Sequence, residues 1–286
     1  MKKAISILVA VVMLFSTFAV GISAKKSDPS LRFNEDGKFR ILQIADIQDN
    51  ASLNPVVKDF IKAAIENEKP DLIVLTGDNF AGYSTGTNIC HGIDKALAKK
   101  AINEYMSILE EYGIPVTMVP GNHDDDDIKL TKEEELEMYE KYDCFIGYDA
   151  DPDMYGCGTH NLPIYSSKNA YELAYNIWMF DSNSYDEELG GYDYVHEDQV
   201  AWYVNKSNEL KAANGGKVVP SMVFQHIIVN EVYDALEECP QGTPNSMERD
   251  GKSYKFKDEY YKTGYFKEWP CPGTRPGTQF GAMVQQ

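Results

Sequence analysis

The sequence predicts an α/β fold on three observations. Short apolar runs of strand length alternate with stretches of helical spacing; three of these runs end in polar, metal-capable groups; and a later run delivers an isolated histidine, His226. The three read Ile41-Leu42-Gln43-Ile44-Ala45-Asp46-Ile47-Gln48, Leu72-Ile73-Val74-Leu75-Thr76-Gly77-Asp78-Asn79 and Val116-Thr117-Met118-Val119-Pro120-Gly121-Asn122-His123-Asp124. A buried strand is a continuous apolar run, and ligands gather beyond the carboxyl ends of strands in open α/β sheets. One such segment would mean little, because Asp and Asn follow strands constantly as turn and cap residues. Three in succession point to carboxylate, amide and imidazole groups converging on one edge.

The elements follow in order. Arg40 to Asp46 reads as the first strand. Asn54 can cap a helix that Pro55 starts, and Val56, Val57, Phe60, Ile61, Ala64 and Ile65 keep helical spacing until Lys69-Pro70-Asp71 breaks it. Leu72 to Leu75 is a buried strand. Asp94 to Tyr112 is a long helix ended by Gly113 and Pro115, and Val116 to Val119 is the next strand. Thr131-Lys132-Glu133-Glu134 is a capping box that opens another helix. From Tyr142 to Lys168 the chain is rich in Gly, Pro, Asp and Tyr, has no clear period and reads as loop. Tyr171 to Phe180 is a fourth strand running into Asp181-Ser182-Asn183. Glu197 to Ala213 is helical, and Val218 to Gln225 is the strand before His226. From Cys239 to Phe280 the sequence reads as irregular. The alternation favours one α/β domain with insertions over two domains.

Composition narrows the function. The chain has 286 residues, is 43% hydrophobic and carries a net charge of −18. No basic stripe exists to displace counterions, which argues against an extended nucleic-acid interface. The excess acid reads mainly as a solvated surface, and bound divalent cations would supply the local positive charge that an anionic substrate needs. Met1-Lys2-Lys3, the apolar run from Ala4 to Val20 and the small residues Gly21 to Ala24 read as an export signal over residues 1–24, leaving one domain over 25–286, secreted or extracytoplasmic. No second apolar span follows, so no membrane span is expected after cleavage. An oxidising compartment permits disulfides: Cys144 with Cys157, or Cys239 with Cys271, are the local pairs, and the odd count with Cys90 leaves a thiol over. His91, His160 and His196 lie in irregular polar segments and read as surface residues, with His91 or His160 as alternative lining for a substrate pocket. No signal defines the oligomeric state.

The order Asp46-x-Gln48, Gly77-Asp78-Asn79, Gly121-Asn122-His123-Asp124 and the later His226 resembles the calcineurin-like metallophosphoesterases, a superfamily that includes the purple acid phosphatases. The resemblance covers most of the chain from about Arg40 onward and is similar to exported bacterial members. It implies a four-layer α-β-β-α sandwich with a dinuclear site at the strand ends. It also implies hydrolysis of a phosphomonoester or phosphodiester small molecule, with a hydroxide between two ions attacking phosphorus in line. Asp46 would bind the first ion, Asp78 would bridge, and Asn122 and His226 would bind the second. His123 would stabilise phosphoryl charge or protonate the leaving oxygen, oriented by Asp124. Manganese, iron, zinc and nickel all suit such mixed ligands. Taken singly, each residue has a plainer reading: Asp46 and Asp78 as turn residues, Asn122 as a left-handed turn after Gly121, His226 as a core histidine.

Three departures stand out. Gln48 replaces the family's usual His in the first motif, so its contact with the first ion would be weaker or through water. The position three beyond Asp78 is Ala81, not the tyrosine of purple acid phosphatases. More seriously, the family ends its site with a Gly-His-x-His motif, and no His follows His226 in this sequence. The expectation is a C-terminally truncated member lacking its last strands. The alternatives are a secreted, non-catalytic binding protein, or a fragment that does not fold alone.

Overall fold

Three hydrophobic clusters, stacked through the two faces of successive strands, organise the chain. The computed structural model describes residues 31–49, 51–80, 95–124, 130–169, 171–260 and 268–286. The export segment read at 1–24, Cys90, His91, the Gly82–His91 loop with Ala81, Asp94 and the acidic residues 125–127 lie outside the described residues.

β1 (Leu31–Arg32) is followed by β2 (Ile41–Ile44), α1 (Pro55–Glu68), β3 (Leu72–Leu75), α2 (Lys95–Tyr112), β4 (Val116–Met118) and α3 (Lys132–Tyr139). The second half comprises β5 (His160–Tyr165), β6 (Leu173–Met179), α4 (Glu197–Ala213), β7 (Ser221–Phe224), β8 (Leu236–Cys239), β9 (Met247–Arg249), β10 (Lys252–Phe256) and α5 (Gln279–Gln285). β2, β3 and β4 form a parallel sheet in that order, with Ile41 opposite Leu72 and Ile73 opposite Val116. A second sheet runs β1-β5-β6-β7, antiparallel only at β5–β6. Because strand side chains alternate, β3 divides its burial. Ile73 and Leu75 join Ile61, Ile65, Ile102 and Met106 of the helices, while Leu72 and Val74 meet Leu162, Ile164, Ile177 and Met179 of the second sheet. The opposite face of β6, through Trp178 and Phe180, packs on Val200 and Tyr203 of α4, with Ala282 and Met283 of α5 alongside. All four β3 side chains are fully buried, and each contributes about 2 kcal/mol by leaving water.

The helix caps match the sequence signals. Asn54 Oδ1 accepts from Val56 N at 2.9 Å, Pro55 opens α1, and Lys69 ends it in a left-handed conformation, φ 48°. Thr131 and Glu134 exchange both bonds of the capping box. The apolar face of α1 is narrower than its spacing implies: Ile61 and Ile65 are buried, whereas Val56 and Phe60 lie off that stripe and are exposed.

Four expectations are corrected. The stretch 142–168 contains β5, with His160 fully buried in it. Its Pro163 is tolerated because β1 reaches only Ile164 and Tyr165, so β5 is an edge there. His196 precedes α4 half-buried, its ring stacked on Tyr155 at 3.7 Å between centroids, so neither histidine is an ordinary surface residue. The region after Cys239 is not wholly irregular: β8, β10 and β9 form an antiparallel sheet. Asp250-Gly251 turns β9 into β10 with both residues at positive φ, the two-residue hairpin that an Asp-Gly pair favours. Finally, Cys144, Cys157, Cys239 and Cys271 are thiols, none joined to another. Cys144 and Cys157 are instead buried in the helix-side cluster, and burial pushes the Cys157 thiol above its usual range.

Candidate metal centre

Parallel pairing brings the carboxyl ends of β2, β3 and β4 to one edge of the first sheet, and β7 delivers His226 to the same place. The loops beyond β3 and β4 then meet closely. A Cβ on Gly77 would lie 2.5 Å from Gly121 N, and one on Gly121 would lie 2.5 Å from Asp78 N. Only glycine fits at either point, which is what the Gly77-Asp78 and Gly121-Asn122 pairs encode. Asp46, Gln48 and Asp78 all adopt positive φ, at 54°, 39° and 52°. Non-glycine residues enter that region at a cost, and such strain clusters at functional sites.

Asp46, Asp78 and His226 each present a ligand atom within 4.8 Å of the others. His226 Nε2 is 3.5 Å from Asp78 Oδ1 and 3.1 Å from Asn122 Oδ1, while its Nδ1 donates to Thr76 O at 2.9 Å. Fixing Nδ1 as the donor is how proteins set the tautomer that turns Nε2 toward a metal. Burial opposes the His226 charge, but the hydrogen bond and charge of Asp78, with Thr76 O, outweigh it and raise the imidazole to about 9. Burial likewise opposes the Asp78 charge; His226 and the His123 N–H overcome it and hold that carboxyl below its ordinary value. Asp46 moves the other way, raised by burial and by Asp78. Two carboxylates, an imidazole nitrogen and an amide oxygen gathered in this way fit a divalent first-row ion by donor chemistry.

The remaining expected residues take more specific places. Gln48 directs its amide Nε2 at Asp78 Oδ2, 2.7 Å, and lies 3.5 Å from Asp46 Oδ1. It therefore enters as a donor to the carboxylates rather than as an oxygen offered to an ion. His123 donates its backbone N–H to Asp78 Oδ1 at 2.9 Å, and its ring is near enough to favour the charged forms of Asp46 and Asp78.

Asp124 is fully committed to backbone. Oδ2 accepts from Asp78 N and Gly121 N at 2.8 and 2.7 Å; Oδ1 accepts from Asn79 N at 2.8 Å and Phe80 N at 3.4 Å. A carboxylate has about four acceptor positions, so none is left to orient the His123 ring as the sequence reading expected. Asp124 instead ties the β3 loop to the β4 loop. Burial and the charge of Asp78 push its carboxyl up to about 7, against the pull of the N–H donors.

Sequence reasoning missed the structural roles of two residues, His160 and Tyr185. His160 donates Nδ1–H to Gly158 O and accepts from Thr117 Oγ1, each at 2.7 Å, pinning β4 to β5; burial lowers its imidazole to about 4. Tyr185 accepts from Asn122 Nδ2 at 2.8 Å. The Asp181-Ser182-Asn183 strand end was the one signal near Tyr185.

The chain has relatives among known proteins. The chain is 28% identical over 234 residues to "Probable inactive purple acid phosphatase 14" of Arabidopsis thaliana, covering 70% of this chain and 56% of that protein. It is 27% identical over 260 residues to "Probable inactive purple acid phosphatase 29" of the same plant, covering 77% and 63%. "Phosphatase DCR2" of Saccharomyces cerevisiae is 25% identical over 244 residues, covering 76% of this chain and 39% of that protein. The chain thus spans less than two thirds of the length of each of these relatives. The family model for calcineurin-like phosphoesterases matches residues 39–259, from just before β2 to just past β10 and so across every residue of the centre. With its edge of converging carboxylate, amide and imidazole groups, the chain belongs to the calcineurin-like phosphoesterase family.

Proposed function

We propose that this chain is a metal-dependent phosphoesterase that hydrolyses a small phosphomonoester or phosphodiester. The observation that carries the reading is the convergence of Asp46, Asp78 and His226 within 4.8 Å, with Asn122 Oδ1 beside His226. Asp46 would hold one ion, Asp78 would lie between two, and Asn122 and His226 would hold the second. Bound there, divalent ions would supply charge neutralisation and an activated nucleophile at neutral pH. The chain's own residues do the rest. Gln48 and the His123 N–H hold the Asp78 carboxylate from two sides. Asp124 fixes the loops, and the His123 ring faces the site as the group that meets phosphoryl charge or the leaving oxygen. We further read residues 1–24 as an export signal and the protein as secreted, on the basic start and apolar run; among the described residues no helix is long and apolar enough to cross a membrane.

A second reading, a non-catalytic binding protein, is supported by the orientation of Gln48 Nε2 toward carboxylate and by the word "inactive" in the names of two relatives. Hydrolysis of a model phosphodiester and a model phosphomonoester by the purified chain with manganese, beside a chelated sample and with metal content measured, separates the two. Chelator-sensitive turnover supports the enzyme. Bound metal without turnover supports the binding protein.

A further inference from the structure

The side-chain amide of Asn122 has nearly the same outline either way round, yet only one way presents oxygen to the ion site. Something outside the ligand set must choose. Nδ2 donates to the Tyr185 hydroxyl at 2.8 Å, and this leaves Oδ1 facing His226 Nε2 at 3.1 Å. Were the amide reversed, Nδ2 would face the ion site and a metal-ligating oxygen would point away.

Tyr185 is well placed to make that choice because its position is set independently of the ligands. It begins a loop closed by a bridge between Tyr185 and Tyr192, whose rings stack 5.9 Å apart at 20°. The loop is braced by Gly190 N on Asp186 O at 2.8 Å and Asp186 N on Gly191 O at 3.0 Å. A distant segment latches it: the Arg275 guanidinium pairs with Asp186 and reaches Glu188 at 2.6 Å. Thr274 adds its N–H to Tyr192 O at 2.7 Å and its hydroxyl to Gly190 O at 2.8 Å. A ring held by a stack and a phenol held by a latched loop make a fixed acceptor. Groups that orient a metal ligand typically change metal affinity 10–100-fold when removed.

We propose that Tyr185 is a positioning residue of the metal centre, setting the amide of Asn122 so that Oδ1 is offered to the second ion; this rests on the metal-centre reading above. The residue is half-exposed, so Tyr185→Phe keeps the ring stack and removes only the hydroxyl.

The test is manganese binding to the purified chain by titration calorimetry, for wild type, Tyr185→Phe, Asn122→Asp and the pair combined. Wild type binds manganese, and Tyr185→Phe weakens that affinity about tenfold or more. In the Asn122→Asp background either oxygen can face the ion, so adding Tyr185→Phe changes affinity less than about threefold, the coupling that marks an effect passing through Asn122. Equal affinity of wild type and Tyr185→Phe overturns the proposal and leaves the metal-centre reading intact. An equal loss in both backgrounds also overturns it, because Tyr185 would then act on the ion without Asn122. If wild type binds no manganese, the metal-centre reading itself fails and takes the proposal with it.

Discussion

The candidate metal centre has a floor and a rim, and they are built differently. The floor is the pair of loops beyond β3 and β4, at the end of a fully buried central strand, locked by glycines in contact and by four amides on one buried carboxylate. The rim is the end of β2, an edge strand whose Asp46 is exposed and whose Gln48 holds the site by a side-chain amide. Both contribute carboxylates, yet the rim's main chain is tied to the floor by Asp46 N on Gly77 O and Gln48 N on Asp78 O, at 3.1 and 2.9 Å, whereas in the floor a buried side chain, Asp124, gathers the amides itself. The floor's side chains are therefore inseparable from folding, whereas those of the rim, whose main chain is held without them, can change with little effect on it.

The largest test of that contrast is Asp124→Ala. It strands up to four buried N–H groups and should cost about 4 kcal/mol or more, read as a fall in urea midpoint with m unchanged. A loss under about 1 kcal/mol would mean that the loops hold without their tie.

Acid should undermine the floor from behind. His160 takes up a proton near 6.5 when unfolded but only near 4 when folded, so between those values the unfolded chain binds more protons. Stability is then fully present above about 6.5 and falls as pH drops toward 4, by about 3 kcal/mol in all. Urea unfolding across that window, for wild type and His160→Phe, checks it: the variant's slope should be shallower, and identical slopes would clear His160 of the role.

His123 joins the two regions: its N–H binds Asp78 in the floor, and its ring is near enough to favour charge on Asp46 of the rim. His123→Ala keeps the N–H, so metal should stay bound while turnover falls about 100-fold. Loss of metal in parallel with rate would make the ring a ligand instead. The smallest effect belongs to the rim. Gln48→Ala should change stability of the metal-free chain by less than about 1 kcal/mol while weakening manganese binding measurably. A large drop in thermal midpoint would erase the distinction between rim and floor.

What the sequence made legible follows the same division. The convergence of Asp46, Asp78 and Asn122 on one edge could be read because a strand-length apolar run followed by Asp or Asn is a local pattern, and parallel pairing then aligns its ends. Caps such as Asn54 and Thr131 are equally local. The partners of Asp124 were not legible, since its amides belong to residues 44–46 positions away as well as to its near neighbour Gly121, and only loop packing selects them. β5 was hidden because Asn161 and Pro163 break the alternation of a strand that is central only over its last residues. Tyr185 was hidden for another reason: its meaning depends on Asn122, 63 residues away, and on a latch from Arg275. The β9–β10 hairpin, by contrast, carried an Asp-Gly signal in plain view.

The single carboxylate of Asp124 also sets a clock. The amides of Asp78, Asn79, Phe80 and Gly121 lie in loops, where exchange with solvent deuterium would ordinarily finish early. Anchored to one buried acceptor, they should exchange together and late, in step with the strands rather than with the surface. The apparatus that would handle phosphate would then open only when the domain does, so whatever moves during turnover has to move somewhere else.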